Sequence, residues 1–470
     1  MNIIGIRFVN KTHVLWLFLG IVYCLELFSA IFYGKQRTTI LLLTPLLIAF
    51  IAQLRVREKA LIFLFLLLIS MFSTKWLGVP YFGLPVTGFM VLCFIIQLSY
   101  KHQSEIYRKY GLFLTFSFVS LVTTIINKDF DIFWIGYCLL PLLCMVTVDT
   151  VLKHNEDKRK LIQYIFFTLM GYLILYFIAA NLGGTYNIGT SDEYAGIYDP
   201  GELLSWGVGS RFVVIGPLYY IMGHNMQAAI MSLFCVIAFW YAIRKNQLVR
   251  VRVICMVLSI SSLIMIFKTT GRAIFIATVS AVFIMLLFMG NKRAMAAISG
   301  IALSIFVISG PNIERLITSI APAAGIERYY EMRYGFSNIG NYSSRIELLS
   351  NNIILCFSKP FGHGFNYYSR DGIDEAVLYS NVISGTGLVG FLIFMLIMLK
   401  LTISYSLRIM KTKNTEKREM AVLGIGAIAL ILISGFSQRY LFGYGIYALL
   451  CWLILAATYT AVNSSIYLKS

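Results

Sequence analysis

Long apolar runs alternate with short polar connections along this chain, and the lengths of those runs set the first expectation. Crossing the hydrocarbon of a bilayer takes about 20 helical residues, because backbone N–H and C=O groups find no partner there except each other. Runs of this kind fall at about 14–33, 39–54, 60–74, 81–99, 110–127, 132–150, 161–180, 225–243, 251–267, 273–290, 294–310, 381–405, 420–436 and 441–462. The pattern predicts an all-α fold, a polytopic transmembrane helix bundle of about 14 spans in a single integral membrane domain over residues 1–470. The first run is followed by no small-residue cleavage pattern and reads as a retained span.

Composition strengthens the membrane reading. Apolar residues make up 59% of the 470, whereas about 45–50% is usual for a soluble domain. Charged residues make up only 13%, as expected where a charge near the bilayer centre costs about 2.5–3.5 kcal/mol. The formal charge of +18 raises the question of nucleic acid. The basic residues sit in short clusters between apolar runs rather than on one basic face with aromatic platforms, so nucleic-acid binding is set aside.

Those clusters instead assign sides. With the amino terminus inside, the inner connections carry Arg55, Arg57, Lys59, Arg108, Lys109, Lys158, Arg159, Lys160, Arg244, Arg250, Arg252, Lys292, Arg293, Arg408, Lys411, Lys417 and Arg418, among others. The excess of positive charge on that side predicts a cytoplasmic location for both termini. Two long segments are left outside, 181–224 and 311–380. No Gly-rich phosphate loop ending in Lys-Ser/Thr is present, so energy has to come from an ion gradient or an activated substrate.

The first outer segment ends in Arg211 and a short apolar piece, Phe212 to Met222, too short to cross. It reads either as an interfacial or re-entrant segment or as part of an over-long eighth helix. The second outer segment holds Ser344 and Glu347 at capping-box spacing, and Ile346, Leu349, Ile353 and Phe357 then recur on one helical face. Pro360, Gly362 and Gly364 stop that helix in a turn that displays His363 and Tyr367.

Several cations in these segments are candidate anion ligands. Arg345 opens the amphipathic helix, where a positive charge opposes the helix dipole. It reads either as a salt-bridge partner of Glu347 or, with Arg328 and Arg333, as a site for a bound anion, since the guanidinium fork suits phosphate. Arg272 lies at an outer turn between deep apolar stretches, with Lys268 nearby. There it either snorkels to the surface or meets an anion in a cleft. Tyr329, Tyr330, Tyr334, Tyr342, Tyr367, Tyr368 and Tyr379 suit interfacial anchoring or stacking on sugar rings. The five histidines show no zinc spacing, the eight cysteines show no disulfide or metal pattern, and no metal or cofactor is expected. Glu26, within the first run, keeps proton-coupled transport open.

Taken in order, these features resemble bacterial polysaccharide polymerases of the Wzy type and the superfamily they share with O-antigen ligases. The resemblance spans roughly residues 160–400. It lies in Arg211 before the short apolar segment, Thr270-Gly271-Arg272, Ser344-Arg345, Pro360-Phe361-Gly362-His363-Gly364-Phe365, Ser380-Asn381 and Gly385-Thr386-Gly387-Leu388-Val389-Gly390. It implies a glycosyltransferase of the inner membrane that polymerises undecaprenyl-diphosphate-linked repeat units in the periplasm into a surface polysaccharide (O-antigen, as in lipopolysaccharide biosynthesis, capsule or exopolysaccharide). The two outer segments then become periplasmic loops.

The resemblance further implies that Arg211, Arg272 and Arg345 face the diphosphate and that His363 or Glu347 takes or orients the proton, without a metal. Arg328, Arg333, Tyr367, Asn381 and Lys268 are the accompanying substrate-binding candidates. The implied partners are a lipid-linked glycan donor and acceptor, membrane lipids and a polysaccharide chain-length regulator. Alternatives are an O-antigen ligase, for which Ser380 stands where relatives commonly carry histidine, and a repeat-unit flippase or polysaccharide transporter, for which no internal repeat is evident.

Overall fold

The computed structural model of the chain describes residues 103–128, 132–152, 155–181, 212–215, 220–244, 246–268, 272–290, 353–354, 357, 359–364, 378–436, 441 and 446–463. Nine helices are described: α1 (Gln103–Ile126), α2 (Ile132–Val151), α3 (Asn155–Asn181), α4 (His224–Ile243), α5 (Val249–Lys268), α6 (Arg272–Met289), α7 (Leu378–Lys411), α8 (Thr415–Ser434) and α9 (Ile446–Asn463). Each coincides with an apolar run in the sequence, and the fold is all-α in its described bulk. The runs at about 14–33, 39–54, 60–74, 81–99 and 294–310 lie outside the described residues.

The chain divides into two compact units. One comprises Met1–Phe89, Met170–Gly207 and Phe212–Met222, and its described residues are the last part of α3 and a strand pair. Strands β1 (Phe212–Ile215) and β2 (Tyr220–Gly223) are hydrogen-bonded to each other. The short apolar piece is therefore neither an extension of the next helix nor a helical re-entrant segment. Its aromatic and β-branched run Phe212-Val213-Val214-Ile215 suits a strand, and Gly216-Pro217 after it is a turn signal.

The other unit comprises Met90–Leu169, Val208–Arg211 and Gly223–Ser470. Here α8 packs on α4, α6, α7 and α9, while α1 lies against α2 and α7. Its largest fully buried side chains are Trp240, Trp452, Tyr110, Tyr405, Phe113, Phe116 and Phe394. The buried Tyr405 hydroxyl is satisfied by donating to Leu455 O at 3.0 Å, with Thr458 Oγ1 at 2.7 Å. Burial of a large aromatic with its polar tip paired contributes packing without leaving an unmatched hydroxyl.

One end of this unit is closed by charge. Arg244, ending α4, donates from Nε to Glu419 Oε2 at 2.8 Å, and both side chains are buried. Trp240 Nε1 donates to Glu419 O at 2.7 Å, and the Arg244 guanidinium lies 4.7 Å from the Trp240 ring. Lys109 of α1 pairs with Asp149 of α2 at 2.5 Å, and Tyr110 also donates to Asp149. Arg159 of α3 reaches Glu416 of α8 at 2.7 Å, and Arg418 donates to Phe288 O at the end of α6. Lys158 is buried nearby, and desolvation pulls its pKa down to about 8 despite the opposing pull of Asp149.

By length and apolarity, three described helical stretches are able to cross a bilayer: Tyr107–Ile126, Val249–Ile266 and Leu378–Lys411. Leu139–Thr150, Ala228–Ile243, Ala273–Met289 and Tyr447–Asn463 are apolar but shorter. This corrects the expectation of about 14 spans. Apolarity along the sequence does not distinguish a helix facing lipid from one facing protein, and Ala228–Phe239 and Tyr447–Val462 are buried against neighbouring helices. The inner-membrane location with both termini cytoplasmic rested on an even count of fourteen crossings, so it falls with that count.

The three long stretches look different from the core. Along α5, Val249, Val253, Val257, Ile260 and Ile264 are all exposed, a stripe at helical spacing. Along α7 the exposed series is Leu388, Leu392, Leu396, Leu399, Ile403 and Leu407. Contiguous apolar faces of that length mark a surface that meets something other than water.

Candidate functional site

The best-defined polar constellation lies where a glycine-rich turn docks into an interruption of α7. Gly387 sits inside that helix with φ 70° and ψ −174°, so two helical pieces meet there. The piece before it, Leu378–Thr386, is buried throughout. At about 1.5 Å per residue, the piece after it is about 36 Å long, enough for a bilayer by itself.

The carbonyls around this break receive the turn. His363 N donates to Ser384 O at 2.6 Å, and Gly364 N donates to Gly385 O at 3.2 Å. Within the turn, Gly362 N donates to Lys359 O at 2.8 Å. A Cβ on Gly362 would come within 2.7 Å of Ser384 O, and one on Gly387 would run into the Pro360 backbone. Gly362 and Gly387 have φ of 79° and 70°, so both positions favour glycine twice over, by conformation and by lack of room. From the other side, Thr123 Oγ1 of α1 donates to Phe361 O at 2.6 Å, and Asn127 Nδ2 donates to Gly362 O at 3.2 Å.

The result fixes His363 and Asn381 on adjoining pieces of backbone. His363 is only 8% exposed and Asn381 is buried one turn before Ser384. The sequence suggests a turn that displays His363; the structure buries it, because two backbone N–H groups of the turn are spent on α7 and draw it inward. The Ser384 hydroxyl bonds back to Ser380 O at 2.8 Å, as Thr386 does to Val382 O at 2.7 Å, so these helix side chains serve the helix itself.

An apolar groove of about 380 Å³ lies beside this constellation. Ile353, Phe357, Tyr379, Ile383, Leu388 and Phe436 are among its walls. Ile383 and Leu388 bracket the stretch of α7 that receives the turn. Tyr379 is fixed by donating from its hydroxyl to Leu432 O at 2.5 Å and by packing 4.8 Å, centroid to centroid, from Phe436. Ile353 and Phe357 lie on described helical residues and are exposed, four positions apart as the amphipathic pattern requires.

Of the remaining candidates, Arg272 is the first residue of α6 and Lys268 the last of α5. Arg211, Arg328, Arg333, Arg345, Glu347 and Tyr367 lie outside the described residues. The residues missed from sequence are Thr123 and Asn127. They carry no motif, and their partners lie more than 230 positions away, at separations of 238 and 235.

No family model matches the chain, and no curated protein aligns with it. The resemblance to Wzy-type polymerases rested on short motifs together with a fourteen-span count. With no family match and three long apolar stretches among the described residues, it is set aside. The assignment to periplasmic polymerisation of lipid-linked repeats, its ligase and transporter alternatives, and the link to lipopolysaccharide biosynthesis are corrected with it.

Proposed function

We propose that this chain is a membrane-anchored helical enzyme acting on an amphiphile, whose tail occupies the groove beside α7 and whose polar head meets the turn carrying His363. The supporting observation is the adjacency of two unlike surfaces. Backbone hydrogen bonds hold His363 on Ser384, the residue immediately after groove-lining Ile383. The exposed apolar stripes of α5 and α7 support a bilayer as the source of such a molecule.

Glycosyl transfer is the chemistry we propose for the head group: the acceptor hydroxyl attacks the anomeric carbon of a polyprenyl-diphosphate sugar, the bond from that carbon to the diphosphate breaks, the polyprenyl diphosphate leaves, and His363 accepts the hydroxyl's proton. Histidine suits that role because its ordinary pKa lies near neutrality, and a positioned general base contributes about 10²–10⁴-fold to rate. Asn381 acts as a hydrogen-bonding contact for the sugar, and the aromatic Tyr379 forms the boundary between head and tail.

Incubating the purified full chain with a polyprenyl-diphosphate sugar and a sugar acceptor, followed by mass spectrometry of the products, tests the proposal. A new glycosidic product that falls about 100-fold or more in His363→Gln is expected. Absence of transfer, or equal transfer by the two proteins, would overturn it.

A further inference from the structure

A second groove, away from the glycine-rich turn, has a different character. It measures about 660 Å³ and is lined by α7 together with Leu112 of α1 and Tyr459 and Asn463 of α9. Three cations line it, Lys400, Arg408 and Lys411, and none of the described residues in its walls is a carboxylate.

The spacing along α7 explains how these charges come together. Lys400, Ser404, Arg408 and Lys411 stand at i, i+4, i+8 and i+11, which places them on one face of the helix. At about 1.5 Å per residue they extend over about 16 Å. Immediately beside them run Leu396, Leu399, Ile403 and Leu407, all exposed. A ladder of positive charge therefore lies against a strip of uncovered apolar surface.

Cations in a final helical turn are commonly explained by the helix dipole. That accounts for Arg408 and Lys411, whereas Lys400 stands 11 residues before the end and its Nζ donates to Lys109 O of α1 at 3.5 Å, which holds the ammonium at the side of the groove. Arg408 is itself oriented, since its Nε donates to Val462 O at 3.0 Å. Ser404 and Asn463 meet at 3.1 Å and close the floor between α7 and α9.

We propose that this groove is a binding site for an anionic phospholipid, with the phosphodiester against Lys400, Arg408 and Lys411 and an acyl chain along Leu396, Leu399, Ile403 and Leu407. A zwitterionic lipid offers the same tail but cancels its own head-group charge, so charge complementarity selects the anionic class. A free phosphate shares the head but leaves the apolar strip uncovered, so it satisfies half of the site. The inference rests on the reading of α7 as a membrane-facing helix.

The test uses the purified full chain in a neutral detergent, titrated with phosphatidylglycerol, phosphatidylcholine or inorganic phosphate while the thermal midpoint is followed. Phosphatidylglycerol should raise the midpoint at concentrations where phosphatidylcholine does so far less and phosphate not at all. The triple variant Lys400→Gln, Arg408→Gln, Lys411→Gln should bind phosphatidylglycerol about 100-fold more weakly, and Lys411→Gln alone about fivefold. Lys411 is exposed, so the single variant decides the matter where the triple one fails to fold. Equal response to the two lipids, with both binding, would overturn the site while leaving the membrane reading intact. A response to neither lipid would overturn both, and reproduction of the shift by phosphate alone would overturn the lipid assignment.

Discussion

The two ends of the larger unit are held together by opposite means. At one end, Arg244 and Glu419, Lys109 and Asp149, and Arg159 and Glu416 reach between helices with long charged side chains. At the other, Gly362, Gly364 and Gly387 let main chain meet main chain, with His363 N on Ser384 O and Gly364 N on Gly385 O. The charged end depends on what side chains supply, and its worth varies with burial. The glycine end depends on what is missing, so it tolerates no added carbon, and the backbone groups that join it are uncharged.

The sharpest way to break this contrast is Glu419→Ala. It leaves the buried Arg244 guanidinium without its counter-charge and frees Trp240 from none of its ring contacts, so a loss of about 4 kcal/mol in chemical unfolding is expected. The double variant Arg244→Met, Glu419→Leu should recover most of that loss, because replacing both members of a buried pair removes the unmet charge. A double variant as unstable as the single one would show that the pair acts through packing instead.

At the other end, Gly387→Ala should cost about 3 kcal/mol, combining the penalty of a positive φ with overpacking against Pro360. Unlike the first loss, this one should not be recovered by a second side-chain exchange, because the atoms that Gly387 meets are Pro360 backbone, and chemical unfolding of the paired variants is the measurement that separates the two ends.

A smaller effect belongs to Lys158. Its folded-state pKa is lowered to about 8 from 10.5, chiefly by burial, so the folded chain releases that proton before the unfolded chain does. Between those values the unfolded state binds more protons, and stability rises with pH; below about pH 8 both states are protonated and the cost of burying the ammonium is fully present. Lys158→Met should flatten the rise and raise the free energy of unfolding at pH 7 by on the order of 2 kcal/mol. A variant with the wild-type slope from pH 8 to 10.5 would move the titration to another group.

Helix positions were legible because an apolar run needs no partner to be recognised. What each helix faces was not legible, because α4 and α7 are similarly apolar in sequence, yet Ala228–Phe239 is buried against protein while Leu392, Leu396 and Leu399 are exposed. The strand pair is not legible from apolarity alone, because its signal lies in the residue types of Phe212-Val213-Val214-Ile215 and in the Gly216-Pro217 break after them. Of the site, His363 and Asn381 stood out through the glycines and the Ser-Asn pair around them. Their adjacency did not, because a glycine signals that something comes close without saying what. Thr123 and Asn127 were invisible for the same reason: a hydroxyl and an amide at a helix end become a clamp only once a distant turn arrives.

The break at Gly387 also sets a rule of length. Because the turn is gripped through consecutive N–H groups at positions 363 and 364, its register is counted in residues rather than chosen by residue type. Dropping or adding one residue between Pro360 and Gly364 would slide every donor past its acceptor, whereas many exchanges of side chain on the outer rim of the turn would leave the grip unaltered. In this part of the protein, spelling is freer than spacing.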